Sequence, residues 1–133
     1  MQVKQVLLIV LLIGTAVIGQ GCVAATIGIG AGAAGTIAYV RGDLEAVQSY
    51  SLDEIYEATL KAVKELELRS VYKTKDALTA TITAYDAQDK KVKIVLKRTT
   101  DQTTKISIRI GTFGNETKSM LIYQTILDNL QEA

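Results

Sequence analysis

Two hydrophobic periodicities divide the chain beyond residue 50. From Leu52 onward, Leu52, Ile55, Tyr56, Thr59, Ala62, Val63 and Leu66 recur at helical spacing on one face. The opposite face carries Glu57, Lys61 and Glu65, four residues apart, the spacing of water-facing ion pairs. Ser51-Leu52-Asp53-Glu54 marks the start as a capping box, in which the Ser51 hydroxyl meets the Glu54 N–H and the Glu54 carboxylate reaches back. Tyr50 and Ile55 occupy the two positions of a hydrophobic staple.

After this helix the period falls to two. Leu78, Ala80, Ile82 and Ala84 point one way, and Thr79, Thr81, Thr83 and Tyr85 the other. Val92, Ile94 and Leu96 alternate with Lys91, Lys93 and Lys97; Ile106, Ile108 and Ile110 alternate with Lys105, Ser107 and Arg109. Residues 68–75 read as a further strand, and residues 36–50 as a strand region broken at Gly42. A final helix over residues 116–130 would bury Ile122, Tyr123, Ile126, Leu127 and Leu130. The expected order is β-α-β-β-β-β-α. It implies an α+β two-layer sandwich: an antiparallel sheet with one wet face and both helices packed on the other.

The first forty residues follow neither pattern. No charge occurs over residues 5–40, and eight of the ten glycines precede residue 43. Lys4 precedes an apolar run of 13 residues, 6–18, which suits a signal core better than the ~20 residues of a membrane span. Gly19-Gln20-Gly21-Cys22 then resembles a bacterial lipobox, with Cys22 as the lipidated residue. The expected organisation is a signal peptide over 1–21, a lipidated Cys22 opening a Gly/Ala-rich segment over 22–36, and a periplasmic domain over 37–133. An uncleaved membrane segment is the competing reading of the same stretch. Gly30 to Gly35 spells G-x-G-x-x-G, but no strand precedes it and no helix follows, so a dinucleotide site is rejected. Gly28 and Gly32 form G-x-x-x-G, which leaves open a tether or a glycine zipper supporting a homo-oligomer in the membrane.

Composition removes whole classes of chemistry. The chain has no His and a single Cys, so neither a His- or Cys-built zinc site nor a Ser-His-Asp triad can form. No intrachain disulfide is available, and no cofactor is expected. A net charge of +1 lacks the basic surplus of a nucleic-acid binder. Charge is unevenly placed, however. Lys91, Lys93, Lys97, Lys105 and Arg109 share the outer sheet face by alternation. That face reads either as a docking surface for anionic lipid, lipopolysaccharide or peptidoglycan, or as a solvated face whose lysines deter edge pairing. It has no base-stacking aromatics. Asp43 and Glu45 share a strand face, but without Trp as a sugar platform they read as solvated carboxylates rather than a glycosidase pair.

Gly111-Thr112-Phe113-Gly114-Asn115-Glu116 stands apart. Gly111 and Gly114 are the only glycines after residue 42, and Phe113 is the only Phe. The spacing predicts a structural turn in which both glycines take left-handed angles, Phe113 plugs the space between helix and sheet, and Asn115 caps the last helix.

With the Cys22 leader, the Gly/Ala run, Tyr39-Val40-Arg41-Gly42-Asp43-Leu44-Glu45, Ser51-Leu52-Asp53 and Ile108-Arg109-Ile110 running into that turn, the chain resembles a family of short bacterial lipoproteins catalogued only as a domain of unknown function. The resemblance implies an envelope lipoprotein and supplies no catalytic residues. The resulting expectation is a non-enzymatic, membrane-anchored protein with a structural, assembly or binding role, partnered by the membrane and by an envelope protein. Val23 after the Cys, in place of the Asp that retains lipoproteins in the inner membrane, points to the outer membrane facing the periplasm. The alternatives are a glycine-zipper oligomer with a small cap and a hydrolase using Asp43 and Glu45.

Overall fold

Gly42 does more than interrupt a strand. Arg41 and Gly42 both have positive φ, 53° and 91°, the signature of a tight two-residue hairpin connection. The region expected as one broken strand is therefore a hairpin of β1 (Ile37–Val40) and β2 (Asp43–Gln48), paired from Val40–Asp43 to Ile37–Ala46. A computed structural model describes residues 36–132. Met1 through Gly35, including Cys22, Gly28 and Gly32, lie outside the described residues.

Helix α1 (Leu52–Glu65) begins at the expected capping box. The Ser51 hydroxyl accepts from the Glu54 N–H at 3.3 Å, and Glu54 Oε2 accepts from the Ser51 N–H at 2.9 Å. It ends in a Schellman arrangement: the Leu68 N–H bonds the Val63 carbonyl at 3.0 Å, and the Glu67 N–H the Lys64 carbonyl at 3.1 Å. Glu67 holds the left-handed position there, φ 55°, where Gly is usual.

Strands β3 (Arg69–Lys75), β4 (Thr79–Tyr85), β5 (Lys91–Thr100) and β6 (Thr103–Ile110) then form a meander, and α2 (Glu116–Gln131) follows. The observed order is β-β-α-β-β-β-β-α, one strand more than expected, and the fold is α+β. The sheet runs β1-β2-β6-β5-β4-β3, antiparallel throughout. The segment containing α1 thus crosses from the β2 side of the sheet to its far edge, and the meander returns to set β6 beside β2. Helix α1 lies mainly over β3–β5, while α2 lies over β2 and β6.

Alternation decides what is buried. Leu44, Ala80, Ile82, Val92, Ile94, Leu96, Ile106 and Ile108 face the helices and meet Ile55, Ala62, Ile122, Tyr123 and Ile126. Leu78 departs from its expected place. Asp76 Oδ1 accepts from the N–H groups of Leu78 (2.8 Å) and Thr79 (2.9 Å), so Leu78 belongs to the turn and is 63% exposed. Two polar groups inside the core pair off: Gln48 Nε2 donates to the Tyr123 hydroxyl, and Thr104 Oγ1 to the Tyr50 carbonyl at 2.9 Å. Burial raises the Tyr123 phenol above its ordinary pKa. The edge strands β1 and β3 contribute no buried residue.

A second tie fixes the start of α2. Asp86, in the β4–β5 turn, has a side chain only 10% exposed. Its Oδ1 accepts from the N–H groups of Gln88 and Lys90, each at 2.9 Å, and its Oδ2 from Lys118 Nζ at 2.9 Å. The Lys118 ammonium, and then the Lys90 N–H, hold the Asp86 carboxyl below the usual aspartate range. Glu54 is lowered by Ser51, and Asp76 by the Leu78 and Thr79 N–H groups. Because folding depresses these pKa values, their stabilisation is complete above the unfolded value near 4 and is lost as pH falls through the folded values. The unfolding midpoint should therefore drop between about pH 5 and pH 2. Asp86→Asn should flatten part of that slope while lowering the midpoint at neutral pH, as read by denaturant melts across pH.

Candidate functional site

Arg109 ties the hairpin tip, β2 and the turn after β6 together. It leaves β6 on the face away from the helices, directly opposite Asp43 of β2. Its Nη1 donates to Asp43 Oδ1 and to the Arg41 carbonyl, each at 3.0 Å, and its Nη2 donates to the Thr112 carbonyl at 2.6 Å. A planar guanidinium can serve several acceptors at once, so it joins the β1–β2 hairpin tip to the turn after β6.

The two turns meet through backbone. A Cβ on Gly42 would sit 2.6 Å from the Phe113 carbonyl oxygen. A Cβ on Gly114, φ 81°, would collide with the Gly42 carbonyl oxygen and lie 2.6 Å from the Tyr39 hydroxyl. Gly114 is thus required twice, for its angle and for its lack of a side chain. Asn115 then caps α2, its Oδ1 accepting from the Lys118 N–H at 3.0 Å.

Phe113 corrects the expectation. It does not plug the space between helix and sheet but is 90% exposed at the crest of this turn. It lines a cleft of about 590 Å³ together with Lys90, Lys91, Gly111 and Asn115. The turn remains structural through its glycines and Asn115, while its aromatic ring faces solvent. Sequence reasoning missed Gly42 and Arg109 as the parts that support it. The available signal was Arg109 two residues before Gly111, on the same chain face as Asp43.

The five cations expected on the open sheet face do share it, but they are not equivalent. Lys105 pairs with Glu45 at 3.0 Å and Arg109 with Asp43 at 3.0 Å. Asp43 and Glu45, expected as solvated carboxylates, are held in ion pairs and only about a third exposed, 33% and 34%. Lys91, Lys93 and Lys97 are exposed and form no ion pair among the described residues. The register sets Lys93 directly opposite Arg109 and Lys97 directly opposite Lys105. Like charges so placed repel. On the other flank Lys91, Lys93 and Lys97 stand opposite Tyr85, Thr83 and Thr79, so the face expected to lack aromatics carries Tyr85, with Tyr72 of β3 opposite Thr83.

Among the described residues no group of three or more His, Cys, Asp or Glu side chains gathers, and no helix is long and apolar enough to cross a membrane. Residues 5–129 match the family described as Protein of unknown function (DUF3568). The chain belongs to that family. No curated protein matches it. Within this DUF3568 chain, the residues joined at the Phe113 turn come from the first hairpin and from the turn before the last helix, from Tyr39 to Asn115.

Phe113→Ala should leave the unfolding free energy from denaturant melts within about 0.5 kcal/mol of the parent, as for an exposed side chain. Gly114→Ala should cost more than about 1 kcal/mol, from left-handed strain plus the collision with Gly42. Lys93→Gln and Lys97→Gln should each raise stability at low salt by about 0.2–1 kcal/mol, the cost of a like-charge cross-strand pair. That gain should shrink as added salt screens the parent protein.

Proposed function

We propose that this DUF3568 protein is a lipid-anchored component of the bacterial cell envelope whose folded body is a binding module, with Phe113 as its contact residue. The observation that carries the reading is a fully presented aromatic ring on a turn that is otherwise over-determined. Two glycine contacts, three Arg109 hydrogen bonds and the Asn115 cap hold the backbone in place while the ring itself packs against little. Exposing a large ring on a rigid support lowers the entropic cost of docking it into a partner. The anchor rests on the uncharged leader and Cys22, and the outer membrane is the favoured site because Val23 follows that Cys. A hydrolase built on Asp43 and Glu45 is less well supported, since both carboxylates are engaged by Arg109 and Lys105.

Mass spectrometry of the mature protein should find a diacylglyceryl-modified Cys22 as the first residue; an intact Met1 would overturn the anchor. A photo-crosslinking residue introduced at position 113 in cells should give one defined adduct with an envelope protein. The same probe at Leu121, also exposed but on α2, should not. Equal adducts at both positions, or none at 113, would remove Phe113 as the contact.

A further inference from the structure

We infer that the open face of the sheet is a docking surface for an anionic phospholipid bilayer, on which the body lies with both helices turned away. The inference rests on the anchor proposed above only in that the anchor brings the face to a bilayer; its own evidence is the charge arrangement on the sheet. Sequential strands place Lys93 against Arg109 and Lys97 against Lys105, while β2 supplies carboxylates to Arg109 and Lys105 alone. Lys93 and Lys97 are left facing like charge with no ion-pair partner among the described residues. An external anion relieves that repulsion, so the face is better satisfied bound than free.

The geometry selects a surface over a single small anion. Along β5, Lys91 and Lys93 are separated by about 7 Å and Lys93 and Lys97 by about 14 Å, at ~3.4 Å per residue. Three ammonium groups so spaced reach separate phosphates rather than one. Around Lys93 and Lys97 the face carries short side chains, Thr79, Thr81, Thr83, Val95 and Ser107, while Tyr85 stands beside Lys91. The Phe113 cleft touches this face only at Lys91. Lysine ammonium groups are compact point charges that meet phosphates without a fixed fork geometry, which suits a fluid array of headgroups. The uncharged stretch of residues 5–40 runs to the last residue of β1, which is itself a strand of the sheet.

The test uses the full chain reconstituted in two vesicle types: phosphatidylcholine alone, and phosphatidylcholine with phosphatidylglycerol at roughly one lipid in three. Lysines are labelled with an amine-reactive reagent, and the rate at each is read by mass spectrometry. Lys61 and Lys64, exposed on α1, serve as internal references. Lys93 and Lys97 should label roughly fivefold more slowly on anionic than on neutral vesicles, with Lys61 and Lys64 unchanged. The protection should vanish near 1 M salt, where the screening length is about 3 Å. Equal rates at Lys93 and Lys97 on both vesicle types would overturn the inference. So would protection by a soluble anionic polymer, polyglutamate, without protection by anionic vesicles, which would assign the face to a polymer instead. Flotation with the neutral vesicles reports the anchor separately, so a failed anchor and a failed face give different results. Lys93→Gln/Lys97→Gln, which leaves the core untouched, should still float with neutral vesicles and should lose the anionic protection at Lys91.

Discussion

One guanidinium fixes how the first hairpin meets the turn before the last helix. Arg109 accepts nothing and donates to three oxygens: two on the β1–β2 hairpin, at Arg41 and Asp43, and one on the turn after β6, at Thr112. Once those are joined, Gly42 and Gly114 must pass within backbone contact, and neither tolerates a side chain. The direction in which α2 leaves the sheet follows from this crossing. The Asn115 cap and the Asp86–Lys118 tie then hold that direction from the sides. A charge-assisted hydrogen bond is roughly twice as strong as a neutral one, and a planar donor array can serve several acceptors without strain. Lysine at position 109 could neutralise Asp43 but could not span the three acceptors.

The sheet has two unlike faces, and each explains something about the other. On the helix side, the four inner strands present small and branched aliphatic residues, and the buried polar pairs are satisfied locally. On the open side the same strands present hydroxyls and cations, with carboxylates only on β2. Because β2 lies beside β6 and not beside β5, its two acids can neutralise only the cations of β6. Strand order, not composition, leaves the β5 lysines without anions. A chain of net charge +1 can therefore carry a strongly polarised surface.

Much of this was legible in the sequence where a local rule governs. Alternation named the strands and the cation face, and the Ser51–Glu54 box and the Asn115 cap stand where the pattern put them. Reading failed where contacts are long-range. A lone Phe between two glycines suggested a core plug, because apolar rings are usually buried, yet the turn is filled by backbone and the ring is left outside. Asp43 and Glu45 read as solvated because their partners lie sixty or more residues away. Residues 36–50 looked like one strand region because Gly42 signals a break, while the positive φ at Arg41, which makes the break a hairpin, has no marker in an Arg side chain.

The edge strand β1 has a mechanical consequence. Its residue most distant from the hairpin tip is Ile37, paired with Ala46, and the chain enters the sheet there. Tension applied through the residues that precede β1 would load the hydrogen bonds one after another, as a zipper is opened, rather than all together in shear. Since no β1 side chain is buried, peeling this strand releases about 14 Å of extended chain while the core stays closed. The hairpin then acts as a short elastic slack between whatever holds the leader and the five-stranded body, and it would spare the Arg109 junction until the pull reached Arg41.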